Sequence, residues 1–371
     1  MQLEASRVTS MPDSGGSGKL AIVLFNLGGP DRPEAIKPFL VNLFTDPAIL
    51  RVPFFVRPLL GRVIAWARVK AATANYAVLG GKSPLLELTQ HQAGALQAAL
   101  PELQARCFVA MRYWHPFSRA TARAVRDWNP DEVLLLPLYP QYSTTTTGSS
   151  LTAWRDAAAA VGLVAPVTTL CCYHSDGGYI RATAAMVRRS YDAARAELDP
   201  VIALRVLFSA HGLPEAIIKR GDPYQHQIER TAAAVARQMG IAKLDSVVCY
   251  QSRATPQQWI GPATDAEIER AAHDKVAVLV VPIAFVSEHS ETLVELDVEY
   301  RELAEKAGVP GYFRTPAQNT DAGFIEALAM LVRRARARGP GLCSFVGGRT
   351  CPTGNRDCPH ARAGATETVE T

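Results

Sequence analysis

The chain has 371 residues, a formal net charge of +4 and 48% apolar residues. A chain of this length can form two domains of ordinary size, each with its own core. The small positive charge is spread along the sequence, which excludes a surface built for nucleic acid. We therefore expect no nucleic-acid partner.

The amino-terminal residues, 1–18, are polar and rich in Ser and Gly. They lack the apolar core of a secretory signal, and Glu4 and Asp13 are untypical of a mitochondrial presequence. We interpret the segment as a disordered tail. The longest apolar run, 276–286, is shorter than the ~20 residues that a membrane-spanning helix needs, so we expect a cytoplasmic protein.

Eight short apolar runs predict β-strands in two groups of four: 20–27, 107–114, 132–139 and 167–173, then 203–210, 246–251, 276–284 and 311–316. The runs are continuous rather than alternating, which is typical of parallel strands buried on both faces. Segments of helical periodicity lie between them, as β-α repetition with right-handed crossovers requires.

This pattern predicts an α/β fold of two similar doubly wound, Rossmann- or flavodoxin-like domains with a cleft between them. We place the first domain at 19–180 and the second at 181–338. The helix predicted at 321–338 could pack back on the first domain. Residues 339–371, rich in Gly, Pro, Cys and Thr, form an extension without a core of its own.

Ligands of such sheets bind at the carboxyl ends of the strands, so the residues there deserve most weight. His211 follows one strand, but a lone His is more often a hydrogen-bonded structural residue. The acidic residues of one later segment recur at steps of three and four and share one helix face: Glu288, Glu291, Glu295 and Glu299. Such a row is either a solvated face or a path for cations, and the spacing alone leaves both open.

Several motifs in fixed order resemble the ferrochelatases, enzymes that insert ferrous iron into a porphyrin to make haem. They are FNLGGP, YAVLGGKSPL, RYWHPF, LYPQYSTTTTGSS, LFSAHGLP, RGDPY, QSRATPQQWIGP and VPIAFVSEHSETLVELDVEY, and they cover roughly residues 20–330. The combination of SAHGLP with HSETLVELD is highly specific. The resemblance implies ferrous iron and protoporphyrin IX as substrates.

The resemblance also implies roles for particular residues. His211 and Glu291 would be catalytic, with His211 as pyrrole-proton acceptor, iron ligand or both. A metal or proton path would add the remaining members of the set His211, His289, Glu291, Glu295 and Glu299. The porphyrin would contact Leu27, Phe54, Leu59, Arg112, Tyr113, Tyr142, Ser143 and Trp259. An orienting role suits Arg112 better than iron ligation, because its guanidinium is always charged.

Residues 51–70 combine large apolar side chains with several Arg. They read either as an ordinary amphipathic helix or, by the resemblance, as a hydrophobic lip around the porphyrin. Such a lip can dock on the inner face of the cytoplasmic membrane, with Arg57, Arg62 and Arg68 available for anionic lipid or propionates. A homodimer is also compatible with the resemblance. A chelatase for cobalt or coproporphyrin, and a non-catalytic haem-binding protein, remain alternatives.

Of seven cysteines, Cys343, Cys351 and Cys358 are spaced C-x7-C-x6-C in the extension. An odd count without an export signal argues against disulfides. Some ferrochelatases hold a 2Fe–2S cluster here, with four thiolates. Animal members use C-x2-C-x4-C and an earlier Cys, whereas this chain has Gly354 and Thr144 at two of those positions.

We therefore predict a 2Fe–2S cluster with Cys172 as the fourth ligand. Strand alternation would let only one of Cys171 and Cys172 face the extension. The alternatives are a zinc site of three tail Cys with His360, and thiols without a metal.

Overall fold

The computed structural model of the protein describes residues 18–252 and 257–361. The predicted disordered tail lies outside these residues, apart from Gly18. Two parallel sheets form the framework, which confirms the predicted α/β fold of two doubly wound halves. Within the described ranges, no helix is both long and apolar enough to cross a membrane.

The first sheet has five strands in the order β2-β1-β3-β4-β9. Their bounds are β1 (Leu20–Asn26), β2 (Ala105–Met111), β3 (Glu132–Pro137), β4 (Val167–Leu170) and β9 (Gly341–Cys343). All pairings are parallel. Every residue of β1 is buried, as its continuous apolar sequence predicts.

The second sheet repeats this arrangement in the order β6-β5-β7-β8. Its strands are β5 (Leu204–His211), β6 (Ser246–Gln251), β7 (Ala277–Pro282) and β8 (Tyr312–Arg314), again all parallel. In each half the first strand lies between the second and the third. The carboxyl ends of these strands therefore form equivalent ligand-binding edges.

Helices connect the strands, and most begin or end beside the cleft. They are α1 (Ile36–Phe44), α2 (Arg57–Val78), α3 (Leu85–Ala98), α4 (Ser118–Trp128), α5 (Thr147–Val161), α6 (Gly177–Glu197), α7 (Glu215–Lys219), α8 (Tyr224–Gln238), α9 (Thr264–Asp274), α10 (Tyr300–Ala307) and α11 (Ala322–Arg338). A π-helix, Glu291–Glu299, runs directly into α10.

The last helix and the extension both join the first sheet. The sequence suggested this position for the helix, although its residues fall within the range 181–338 predicted for the second domain. Helix α11 packs on α3 and α6 and lies against β3 and β4. Its Arg333 pairs with Glu102 at 2.8 Å, and its Arg336 pairs with Glu132 at 2.6 Å. The extension then adds β9 beside β4, which covers an edge strand that would otherwise be open.

A buried side chain ties the two halves together just before the π-helix. Gln92 of α3 donates from Nε2 to the carbonyl oxygens of Val286 (2.8 Å) and Asn319 (2.9 Å). It also accepts a hydrogen bond of 2.9 Å from the Ser287 hydroxyl. These bonds fix the segment that leads into Glu291 relative to the first domain.

Candidate active site

A cavity of about 1110 Å³ lies between the halves at the carboxyl ends of the strands. Leu27, Leu138, His211 and Ala284, which end or closely follow β1, β3, β5 and β7, all line it. Its volume slightly exceeds the ~300–1,000 Å³ of ordinary small-ligand sites. The apolar side chains on its walls include Phe44, Ile49, Leu50, Ile64 and Phe285.

His211, the last residue of β5, forms an ion pair with the first residue of the π-helix. Its Nδ1 lies 2.9 Å from Oε2 of Glu291. Both residues line the cavity. With the proton on Nδ1 shared with the carboxylate, the Nε2 lone pair can accept a proton or bind a metal ion.

The ion pair raises the pKa of His211 and lowers that of Glu291, so both shifts favour the charged forms of the two groups. Burial opposes charge on each group, lowering the pKa of His211 and raising that of Glu291. The attraction between carboxylate and imidazolium outweighs burial. The pKa of His211 is therefore raised, and that of Glu291 lies well below its usual value.

His289 lies near the same carboxylate oxygen, with Nε2 3.7 Å from Glu291 Oε2. Its ring packs on Phe285 at 4.5 Å between centroids, and its buried Nδ1 has no hydrogen-bond partner. Oε2 of Glu291 therefore lies within 4 Å of two imidazoles.

Glu295 is held by protein donors rather than left open. Its carboxylate accepts hydrogen bonds from the Gln251 side chain (3.0 Å), the Ser252 amide (2.9 Å) and Tyr300 (3.1 Å), and it also contacts the Ser252 hydroxyl. Burial and the nearby Glu291 raise its pKa. Glu299, about two turns after Glu291, lines the cavity but is exposed.

The π-helix includes three of the four residues of the predicted acidic row and leaves Glu288 outside. Its wider turn keeps Glu291, Glu295 and Glu299 on the cavity side, since steps of four come close to one π-helical turn. Glu288 lies before the helix and turns away. It pairs with Arg314 at 2.9 Å and accepts a hydrogen bond from the Ala317 amide at 2.8 Å.

Arg112 and Tyr113 do not line the cavity, contrary to the predicted porphyrin contacts. Both bind Asp46, which is buried: the Tyr113 hydroxyl donates at 2.7 Å and Arg112 pairs at 2.8 Å. Ser149 donates a further hydrogen bond of 2.5 Å. A buried carboxylate needs such partners. Arg112 and Tyr113 therefore bind Asp46 beneath the cavity lining and do not line the cavity themselves.

The other predicted contact residues divide between the cavity and its surroundings. Leu27, Ser143 and Trp259 line the cavity, as do His211, His289, Glu291, Glu295 and Glu299. Tyr142, contrary to the prediction, does not line the cavity and is buried in a cluster with Cys171, Cys172 and Leu342. Phe54 and Leu59 are 78% and 69% exposed, outside the cavity at the start of α2.

Helix α2 contributes a cavity face of Ile64, Arg68, Ala71 and Asn75, of which Ile64 and Arg68 belong to the lip predicted at residues 51–70 and the other two were not predicted. Their steps of four, three and four are typical of one helix face, so periodicity could have found them. Tyr76 shares a hydrogen bond with Ser290, beside Glu291, and burial raises its pKa to about 12. The carboxyl end of α2 is thereby attached to the catalytic segment.

The extension brings its cysteines to the end of β4. Cys171 and Cys172 lie just beyond that strand, with their sulfurs 3.6 Å apart. Cys171 interacts electrostatically with Cys358 and Cys343, while Cys172 interacts with Cys351 and Cys343. Both lie beyond Leu170, where the strand ends, so the alternation expected of a strand does not apply to them.

A hydrogen bond from Cys351, together with the backbone amides of His360 and Ala361, lowers the pKa of Cys358 to about 6. Cys358 thus has the character of a thiolate, the form that binds metal. Among residues 18–252 and 257–361, however, no three or more His, Cys, Asp or Glu side chains are placed to hold a metal ion.

These features together define an enzyme class. A largely apolar cleft accepts a large flat ligand, and a base–carboxylate pair on its wall can exchange a proton or a metal ion with that ligand. Such a site suits a chelatase, which inserts a metal ion into a tetrapyrrole.

Comparison with known proteins makes the assignment more specific. The sequence profile described as Ferrochelatase matches residues 19–336. The ferrochelatase of Caulobacter vibrioides strain NA1000 is 52% identical over 351 residues, which cover 94% of this chain and 99% of the relative. That of Phenylobacterium zucineum is 50% identical over 341 residues, with coverages of 89% and 97%. The solved structure of SirB from Bacillus subtilis with Fe3+ aligns with 86% of this chain and 96% of its own, at a TM-score of 0.49 and 13% identity.

The chain belongs to the ferrochelatase family. It is an enzyme of haem synthesis that inserts iron into a porphyrin, which confirms the expectation from the sequence motifs.

Proposed function

We propose that the protein inserts ferrous iron into protoporphyrin IX and that His211 accepts the pyrrole protons. The observation that carries this proposal is the contact of 2.9 Å between His211 and Glu291 on the cavity wall. The carboxylate raises the pKa of the imidazole and stabilises the imidazolium that forms. Direct binding of iron by His211 is the alternative role.

The remaining polar groups suit the supply of iron and the exit of protons. Glu299 is exposed at the outer part of the cavity, and Glu295 lies between it and Glu291. A hydrated ferrous ion accepts oxygen and imidazole donors. We propose that Glu299, Glu295 and Glu291, with His289, form its path. Arg68 at the cavity would bind a propionate.

The substrate proposal is tested by anaerobic incubation with ferrous iron and protoporphyrin IX, following porphyrin fluorescence. We expect fluorescence to be lost over many turnovers per enzyme. A loss equal to one porphyrin per chain would indicate a haem-binding protein instead. A higher kcat/KM for coproporphyrin, or for cobalt in place of iron, would select the alternative chelatases.

We propose further that the lip at residues 51–70 docks on an anionic membrane surface. Phe54, Phe55 and Trp66 are 78%, 72% and 71% exposed, an unusual concentration of large apolar side chains. Arg62 and Arg68 belong to the same helix, where cations attract anionic lipid. Arg57 donates to the carbonyls of Leu50 and Val52, and Arg62 donates to that of Pro58, but both guanidinium groups keep their positive charge.

Replacing Phe54 and Phe55 by Ser is expected to reduce pelleting with vesicles that contain an anionic phospholipid, because it removes apolar area that enters the interface. The matched control replaces Val164 and Val201, 94% and 88% exposed elsewhere, by Ser. Failure of the unaltered protein to pellet at low salt would end the proposal. Conversion of a dimer to a monomer by the Phe substitutions would show a homodimer interface at this face.

We propose lastly that Cys172, Cys343, Cys351 and Cys358 hold a 2Fe–2S cluster away from the chemistry, as a structural or sensing element. The buried thiols and the low pKa of Cys358 fit such a group, which takes four thiolates. The sulfurs now contact in pairs, so binding requires Cys171–Cys172 and Cys351–Cys358 to approach one another. Thr144 is not a substitute ligand, since its hydroxyl donates to Asp222 at 2.7 Å.

Anaerobically purified protein is expected to be reddish-brown, with a charge-transfer absorption that dithionite bleaches. Cys358→Ser should remove the colour, whereas Cys107→Ser, which alters a thiol outside this group, should leave it. Colourless protein with stoichiometric zinc and no acid-labile sulfide would favour the Cys3His site with His360. Colourless protein with neither metal would indicate simple thiols.

A further inference from the structure

Helix α8 contacts both the cysteine-containing tail and the cavity wall through a single side chain. Gln227 is fully buried. Its Nε2 donates to Cys351 Sγ at 3.1 Å, and its Oε1 accepts a hydrogen bond of 2.7 Å from the Tyr142 amide. The two ends of one rigid amide group thus hold two distant parts of the chain.

The same face of α8 reaches the cavity at two further points. Thr231 accepts a hydrogen bond of 3.1 Å from Gln141, a cavity residue. The Tyr224 hydroxyl donates to the carbonyl oxygen of His211 at 3.1 Å. Residues 224, 227 and 231 are separated by three and four positions, so one helix face carries all these contacts.

The tail is also attached to the loop that begins α8. The Asp357 amide donates to the Gly221 carbonyl at 3.0 Å. Gly221 has a φ of +109°, and a Cβ there would lie 2.7 Å from the Arg356 nitrogen, so the backbones are in close contact. Asp222, next to it, accepts a hydrogen bond of 2.8 Å from the Thr144 amide. The cysteine-containing tail and the cavity wall at Thr144 therefore contact adjacent residues, Gly221 and Asp222.

We infer that Gln227 is a positioning residue. It couples the state of the Cys351 sulfur, as a hydrogen-bond acceptor or as a metal ligand, to porphyrin binding. The wall segment 141–146 includes four residues that line the cavity: Gln141, Ser143, Thr145 and Thr146. Loss of the sulfur acceptor leaves a buried amide donor without a partner, and the side chain must then reorient at the expense of its bond to Tyr142. The inference rests on the proposed porphyrin site but holds for whichever metal the tail takes.

The test measures the Kd of metal-free protoporphyrin IX for the full-length protein by fluorescence quenching. We expect Cys351→Ala and Gln227→Leu each to weaken binding about fivefold, at the lower end of typical couplings. Alanine is chosen because a serine hydroxyl could still accept the hydrogen bond from Gln227. The double variant should bind no more weakly than either single variant, because both changes break one connection. Gln225→Leu is the matched control, since the side chain of Gln225 on the same helix donates to Glu229, at 3.0 Å, on the surface.

Hydrogen exchange at residues 138–146 supplies a second readout. If the tail had only a structural role, exchange there would not respond to one cysteine and ignore another. Exchange should quicken in Cys351→Ala and stay unchanged in Cys107→Ala. If Gln227→Leu does not fold, Gln227→Glu keeps the acceptor for Tyr142, removes the amide donor and should abolish the effect of Cys351→Ala. Multiplicative effects in the double variant, or an unchanged Kd in Cys351→Ala, would overturn the coupling. Absence of porphyrin binding by the unaltered protein would instead refute the proposed function.

Discussion

Replacing His211 by Ala is expected to lower iron insertion by about 10²–10⁴-fold, the usual contribution of a positioned general base. Protoporphyrin binding should remain nearly unchanged, because the apolar walls of the cavity stay in place and the imidazole acts mainly in the transition state. The measurement pairs single-turnover insertion under anaerobic conditions with a direct titration of the metal-free porphyrin.

His273→Ala is the matched control, because the His273 side chain is 89% exposed on α9 and should be dispensable. Near-normal turnover in His211→Ala would refute the assignment of the base. Weaker porphyrin binding with an unchanged single-turnover rate at saturating porphyrin would instead place His211 among the groups that merely bind the ring.

The parallel sheets could be predicted from the sequence because a strand buried on both faces is a nearly continuous run of apolar residues. The strand Leu20–Asn26 is apolar at every position except its last, and no distant information is needed to recognise it. The position of His211 at a strand end follows from the same reading, since chain order alone identifies the ligand-binding edge.

Long-range partners could not be read in the same way. Tyr113 looks like a cavity residue until Asp46, which has no local signature, accepts its hydroxyl hydrogen bond at 2.7 Å. Glu288 likewise has the spacing of its acidic neighbours, and only the fold brings Arg314 to it. Polar groups of this kind are satisfied by tertiary contacts, which spacing along one helix does not reveal.

The extension shows a third kind of limit. Composition predicts that residues 339–371 lack a core of their own, but a three-residue strand that joins an existing edge carries almost no sequence pattern. Once β9 pairs with β4, Cys343 follows the register and its carbonyl accepts a hydrogen bond of 2.8 Å from the Cys171 amide. The proximity of Cys343 to Cys171 is therefore a consequence of strand pairing and not of cysteine spacing.

Glu291→Gln is expected to slow insertion by about 10²-fold or more, since it keeps the shape of the side chain but removes the charge that stabilises the imidazolium. It should also shift the pH profile. Glu291 raises the pKa of His211, so its loss lowers that pKa and leaves the imidazole unprotonated to lower pH. The acidic limb of kcat/KM, where protonation of the free base abolishes activity, should therefore move to lower pH.

Glu299→Gln separates this effect from a general loss of negative charge on the same helix. Glu299 is exposed and two turns from Glu291, so its replacement should raise the KM for iron and leave the acidic limb where it was. An acidic limb that stays in place in Glu291→Gln would mean that the titrating base is a group other than His211. A limb that moves to higher pH would contradict the ion pair itself, because removing a carboxylate cannot strengthen a cationic acid's hold on its proton.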